Sequence, residues 1–189
     1  MSPQSPASTI GAHRAGRGIA ARGGGELRIR RTLEPGDIGA IAAQHGRLYG
    51  REFGLDVSFE ADLARALYAA AKRGWPTDRE GAWIVERAGA LAGSLALTDE
   101  GDRTGRVRAF LLDPALRGRG LGRHLLGELL DRARAAGYAR LVLETFSELR
   151  AAARLYTERG FVLVWSRTGP RWGMERMTYQ RYELDPLEL

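Results

Sequence analysis

Between residues 110 and 122 the chain reads F-L-L-D-P-A-L-R-G-R-G-L-G, and this stretch restricts the fold more than any other. A short apolar run ends at Asp113-Pro114, glycines follow at positions 118, 120 and 122, and an amphipathic pattern starts at once. That order predicts a strand, a tight turn and a helix whose first amides have no partner. Such amides, backed by the roughly half positive charge of the helix dipole, attract anions. Glycine allows close backbone approach and positive φ without a side-chain clash. The stretch therefore predicts a phosphate or pyrophosphate held by main-chain N–H groups. A nucleotide P-loop is excluded, because Arg123-His124 stand where Lys and Ser or Thr are needed and the single lysine of the chain is Lys72. A dinucleotide fingerprint fails too, since the sixth position counted from Gly118 is Arg123.

The 189 residues suit one domain, and with no cysteine the chain has neither disulfides nor thiolate metal sites. No apolar run approaches the roughly 20 residues that span a bilayer, so a cytoplasmic protein is expected. Of the net charge of +6, half sits on Arg14, Arg17 and Arg22, within a first segment of 25 residues that has no Asp or Glu. That segment, residues 1–25, is rich in Ser, Pro, Gly, Ala and Arg and is expected to be a disordered basic tail. A targeting peptide and a nucleic-acid arm are the competing readings, but an apolar signal core and a recognised nucleic-acid motif are both missing. Asparagine is absent and all but one of the 29 basic residues are arginine, a compositional skew that says little about a ligand.

Residues 26–189 read as the folded domain. Leu27 and Ile29 alternate with charges, as in a half-buried strand. Pro35-Gly36-Asp37 opens a helix that turns Ile38, Ile41, Ala42, His45, Leu48 and Tyr49 to one side. A second helix follows, with Ser58 as its expected N-cap. Three strands over residues 82–87, 90–98 and 105–112 are joined by short glycine-containing turns, an antiparallel meander. A helix from Leu121 to the Gly137 stop and the apolar strand Leu141-Val142-Leu143 come next. Thr145 with Glu148 has the spacing of a capping box and predicts the start of a helix that Gly160 ends. Residues 161–165 and 177–184 are expected strands, with residues 167–173 as the loop between them. The class is α/β (α+β), with about seven strands in a mixed sheet and about four helices in the order β-α-α-β-β-β-α-β-α-β-β.

Arg117, Gly120 and Gly122 fill the defining places of [Q/R]-x-x-G-x-[G/A], and A-A-A-R-L-Y-T-E-R-G-F follows at residues 151–161. Together, and in this order of elements, these resemble motif A and the tyrosine-bearing motif of the GNAT superfamily of acetyl-CoA-dependent N-acetyltransferases. H-G-R-L-Y at His45 to Tyr49 and the terminal Y-E-L-D resemble more closely the acetyltransferase half of fusions between MarR-type regulators and GNAT domains. The resemblance implies that an amine attacks the thioester of acetyl-CoA directly, with no metal. Phe110, Leu111 and Leu112 would pair with the pantetheine arm, and the Leu112 amide would face the thioester oxygen. Arg117, Gly118, Arg119, Gly120, Leu121, Gly122 and Arg123 would hold the pyrophosphate, and Leu149 and Ala152 would line the cofactor. Tyr156 would stabilise the departing thiolate or relay a proton to it. Leu149 stands where such proteins often carry asparagine, so one polar contact is missing and a fold without catalysis stays open. For the amine's proton Glu144 is the first candidate base, with Glu52, His45 and water behind it. His45, Tyr49, Glu52 and Trp172 are expected near an acceptor amine, a small molecule or a peptide; an acyl-CoA-binding regulatory module and a nucleic-acid-associated protein are the alternatives. Partners beyond these are not implied by the residues, and the oligomeric state is open, a homodimer included.

Overall fold

The computed structural model describes residues 26–185, so the expectation of a tail over residues 1–25 lies outside the described residues. Seven strands and four helices follow in the expected order: β1 (Leu27–Arg30), α1 (Asp37–Phe53), α2 (Val57–Lys72), β2 (Gly81–Arg87), β3 (Ala90–Asp99), β4 (Thr104–Leu112), α3 (Leu121–Ala135), β5 (Arg140–Phe146), α4 (Arg150–Thr157), β6 (Val162–Arg171) and β7 (Met174–Leu184). The sheet runs β1-β2-β3-β4-β5-β7-β6, with β4 and β5 parallel and all other neighbours antiparallel. Helix α3 makes the crossover that a parallel pair requires.

Strand alternation sends side chains to two helix layers. Trp83, Val85, Leu95 and Leu97 pack with Leu125, Leu126 and Leu129 of α3 and Tyr156 of α4. Ala82, Ile84 and Ala96 pack with Ile41 of α1 and Leu67 of α2. A third cluster joins Leu48, Tyr49 and Phe59 to Leu111, Phe146 and Met177, where the first two helices cover the middle of the sheet.

Three local expectations are corrected. Asp56, not Ser58, caps α2, accepting the Ser58 amide at 2.9 Å; a carboxylate satisfies a free amide and the helix dipole together. Thr145 does not open a helix: it pairs with Gln180 of β7 inside β5, and α4 begins at Arg150 with Leu149 as its N-cap and no side-chain cap bond. The cross-strand ladder prevails over a local cap. Residues 167–173 are mostly hairpin, because β6 continues to Arg171 and only Trp172-Gly173 turn, both at positive φ (50° and 80°). Pro170 is tolerated there because β6 is an edge strand with a register shift between Gly169 and Arg171.

Arg30 is a buried cation that strand alternation did not mark. Its side chain is 7% exposed and forms ion pairs with Asp37 at 2.7 Å and Glu86 at 3.1 Å, tying β1 to the start of α1 and to β2. The guanidinium holds the Asp37 carboxyl below the usual carboxylate range, chiefly through their hydrogen bond. Replacing Arg30 by Met leaves two carboxylates without their cation, and the expected cost is roughly 3 kcal/mol in denaturant unfolding. A loss below about 1 kcal/mol would show that water compensates the two acids.

Candidate active site

The site begins as an irregularity in β4. Ser94 faces Leu111 and Ala96 faces Arg108, so the single residue between them on β3 lies opposite two on β4, Ala109 and Phe110. This is a β-bulge, with Ala109 at φ 47° and its carbonyl accepting from Ser94 Oγ at 2.7 Å. One extra residue reverses the strand's parity. Val107 before the bulge, and Phe110 and Leu112 after it, pack toward α3 and α4, while Ala109 and Leu111 pack toward α1 and α2.

Beside the bulge the sheet opens. Strand β4 pairs with β5 only from Thr104↔Arg140 to Arg106↔Val142, after which the two part. The Asp113 amide donates to Ala92 of β3, so ladder alternation turns the preceding Leu112 amide the other way, toward the side that β5 has left. A cavity of about 280 Å3 occupies the opening, near the small end for ligand sites. Phe110, Leu143, Ala152 and Tyr156 line it from the α3 and α4 layer; His45, Tyr49, Phe59, Asp62, Phe146 and Trp172 line it from the other. The cavity is therefore lined from both faces of the sheet, where β4 and β5 part.

The glycine turn follows β4 directly. Gly118 and Gly120 have φ of 72° and 81°, a region that side-chain-bearing residues avoid. Among the described residues the amides of Gly118, Arg119, Gly120, Leu121, Gly122 and Arg123 make no backbone hydrogen bond; the first bond of α3 is His124 N–H to Gly120 O at 3.0 Å. A Cβ on Gly122 would meet only ordinary contacts, so the protein itself does not demand glycine there. The Arg117 guanidinium is already engaged, donating to Leu112 O at 2.9 Å and pairing with Glu52 at 2.9 Å. What the turn offers an anion is its main chain. Arg123 is exposed and pairs with Glu158 at 2.6 Å on the neighbouring α4.

Tyr156 is 5% exposed, flanked by Phe110, Phe161 and Tyr182, and its hydroxyl has no protein partner among the described residues. Burial pushes its pKa up, so it remains a phenol with an O–H free to donate. Leu149 and Ala152 lie beside it in the cavity wall. Glu144, half-buried on β5, accepts from Tyr179 at 2.7 Å and faces Arg106 at 3.3 Å and Arg181 at 3.7 Å. Tyr49 and Trp172 line the cavity; Glu52 does not, being held by Arg117. Sequence reasoning passed over Asp62, Arg106, Arg108, Arg171 and Tyr179, all of which line it. The available signal was R-V-R in a central strand, which puts two arginines on one face of a buried sheet.

With this geometry in view, the comparisons agree with one another. The acetyltransferase (GNAT) family matches residues 47–161, more than half of the chain, and the chain belongs to that family. It is 32% identical over 108 residues, 56% of this chain and 62% of the relative, to the IAA acetyltransferase of Azospirillum brasilense. It is 38% identical over 84 residues, 43% of this chain and 28% of the relative, to the mycothiol acetyltransferase of Beutenbergia cavernae. The chain thus spans less than two thirds of the length of these relatives. Among solved structures it resembles the N-acetyltransferase of Staphylococcus aureus Mu50 (TM-score 0.66, 22% identity, 86% of this chain and 99% of the other). YncA of Salmonella typhimurium, solved with its cofactor acetyl-CoA, is similar in fold (TM-score 0.63, 23% identity, 86% and 95%).

His45 generates a pH prediction. It is 3% exposed, and since its Nδ1 lies 2.9 Å from the Ile41 carbonyl, Nδ1 carries the proton and Nε2 is a bare acceptor with no partner. Burial pushes its pKa down from 6.5 to about 4. As pH falls the unfolded chain takes up this proton first, so the contribution is complete above pH 6.5 and is lost toward pH 4. Denaturant unfolding at pH 5 instead of 7 is expected to lose about 2 kcal/mol through this group. His45→Leu should remove that share of the pH dependence; an unchanged slope in the variant contradicts the assignment.

Proposed function

We propose that the protein transfers the acetyl group of acetyl-CoA to the nitrogen of a small amine by direct attack within a ternary complex. One observation carries this reading: the cavity between β4 and β5 is lined from both helix layers, so a donor and an acceptor entering from opposite faces meet there. The residues present fit the donor. Six free amides from Gly118 to Arg123 suit its pyrophosphate, and the unpaired edge of β4 suits its amide-bearing arm. The bound group supplies the activated acetyl thioester; the chain orients it and stabilises charge.

As the amine nitrogen bonds to the acetyl carbon, the carbonyl oxygen becomes negative, and the Leu112 amide is the donor for it, worth roughly 3 kcal/mol. The carbon–sulfur bond then breaks. Tyr156 donates a hydrogen bond to the leaving thiolate, and its raised pKa makes it a poor acid, so the thiol's proton comes from solvent or from the newly bonded nitrogen of the tetrahedral adduct. An ammonium and a thioester give an amide, a thiol and one proton. Glu144 has room for one more donor beyond Tyr179, Arg106 and Arg181, and serves as the acceptor for the amine's N–H. His45 Nε2, Tyr49 and Trp172 orient the acceptor, and Glu52 acts indirectly by fixing Arg117. The segments His45 to Tyr49 and Tyr182 to Asp185 support a place near the acetyltransferase half of MarR-type fusions.

A second reading, acyl-CoA binding without turnover, draws on Leu149, which caps α4 with no polar contact. Two measurements separate them. Acetyl-CoA at about 100 times its dissociation constant should add roughly 2.7 kcal/mol of stability, several degrees in a thermal shift. An amine panel scored by thiol release should then show turnover that Tyr156→Phe lowers about 100-fold in kcat with little change in KM for acetyl-CoA. Absence of a thermal shift overturns both readings; a shift with no thiol release from any amine favours the second.

A further inference from the structure

The acceptor side of the cavity has an unusual charge arrangement for an enzyme whose second substrate is an amine. Four arginines line it, Arg65, Arg106, Arg108 and Arg171, against two acids, Asp62 and Glu144. Each acid is already neutralised. Asp62 lies 3.1 Å from Arg65 and 3.9 Å from Arg171, and it also accepts from Trp172 Nε1 at 3.0 Å. Glu144 faces Arg106 and Arg181. Glu100, behind the wall, is shared by Arg106 at 2.7 Å and Arg108 at 2.8 Å. A polyamine or another polycation would find no unpaired carboxylate in this wall.

Arg108 shares its acid, Glu100, with Arg106 and so is only partly compensated. Its Nε donates to Thr98 at 3.1 Å and its Nη2 to the shared Glu100, while Nη1 has no partner among the described residues. Its side chain is 31% exposed, at a position that lines the cavity. Partial burial, and after it the neighbouring charge of Arg106, holds its pKa below the usual guanidinium value. A half-desolvated cation with Nη1 still open attracts a carboxylate, the group that guanidinium donors suit. Across the cavity, Tyr49, Phe59, Phe146 and Trp172 pack in contacts of 4.9 to 6.4 Å between ring centres, an apolar wall.

We propose that the acceptor is an amino acid with an apolar side chain, its carboxylate bound by Arg108, its side chain against the aromatic wall and its amine toward the β4–β5 opening. This rests on the acetyltransferase reading for the fate of the amine, and on the charge pattern alone for the carboxylate.

The test separates the two. Binding to the full chain saturated with CoA is measured by calorimetry for phenylalanine, leucine and methionine, both enantiomers of each, beside phenethylamine, isoamylamine and spermidine. At least one amino acid is expected to bind about tenfold or more tightly than its decarboxylated amine. Arg108→Met and Arg108→Gln are expected to bring that ratio close to one, and Arg108→Lys to restore part of it. Spermidine or the bare amines binding as tightly as every amino acid overturns the inference, and so does a ratio that survives both neutral variants. The wild-type comparison holds whether or not the variants fold. Carboxylate-dependent binding without thiol release contradicts the transferase reading and leaves this one standing; thiol release from bare amines at rates matching the amino acids does the reverse.

Discussion

The site depends on one extra residue in β4. With Ala109 opposite the same β3 position as Phe110, the strand changes which face it shows. Without that insertion, Phe110 and Leu112 would share a face with Arg106 and Arg108, and these apolar side chains would point at the charged wall and away from α3 and α4. The bulge separates the two chemistries along a single strand. It also lies beyond the last β4–β5 pair, where the strands diverge, so irregular geometry and opened sheet coincide. A parallel pair is a place to make such an opening, because α3, not a tight turn, connects its strands and leaves their ends free to part.

The glycine turn and the cavity use different electrostatics. At the turn the attraction for an anion comes from main-chain amides and the dipole of α3, with the Arg117 guanidinium spent on Leu112 O and Glu52. On the α1 and α2 side of the cavity the charges are full and close, in two sets: Arg65 and Arg171 around Asp62, and Arg106, Arg108 and Arg181 with Glu100, Glu144 and Glu183. Tyr156 and Tyr179 are both pushed up by burial and stay protonated, and Tyr179 donates to Glu144. Such a set is rigid where its members are paired, and Arg108 Nη1 is a donor with no partner among the described residues.

What the sequence revealed was local chemistry. The glycine turn was legible because positive φ and free amides follow from residue type alone, and Gly118 and Gly120 do adopt that conformation. Helices α1, α2 and α3 and strands β2 and β3 were legible from period, since their apolar residues recur on the faces they bury. Side-chain partnerships between distant segments were not. Arg30 is buried because Asp37 and Glu86 converge on it, and Glu52 leaves the acceptor group because Arg117 reaches it across 65 positions. The bulge was hidden because Ala109 is not the glycine that usually marks one. Thr145 had the spacing of a cap, but its backbone was claimed by β7. The arginines of β4 were given no role, although a charged face inside a covered sheet is a sign of a lined cavity.

The central claim is that the opening between β4 and β5 is where acetyl donor and acceptor meet. A crystal structure of the chain with CoA tests it most directly. The account predicts the pyrophosphate on the amides from Gly118 to Arg123, the pantetheine arm along Phe110 and Leu112, and the sulfur within hydrogen-bond reach of the Tyr156 hydroxyl. CoA bound elsewhere on the surface, or β5 drawn against β4 so that the opening closes, would contradict it.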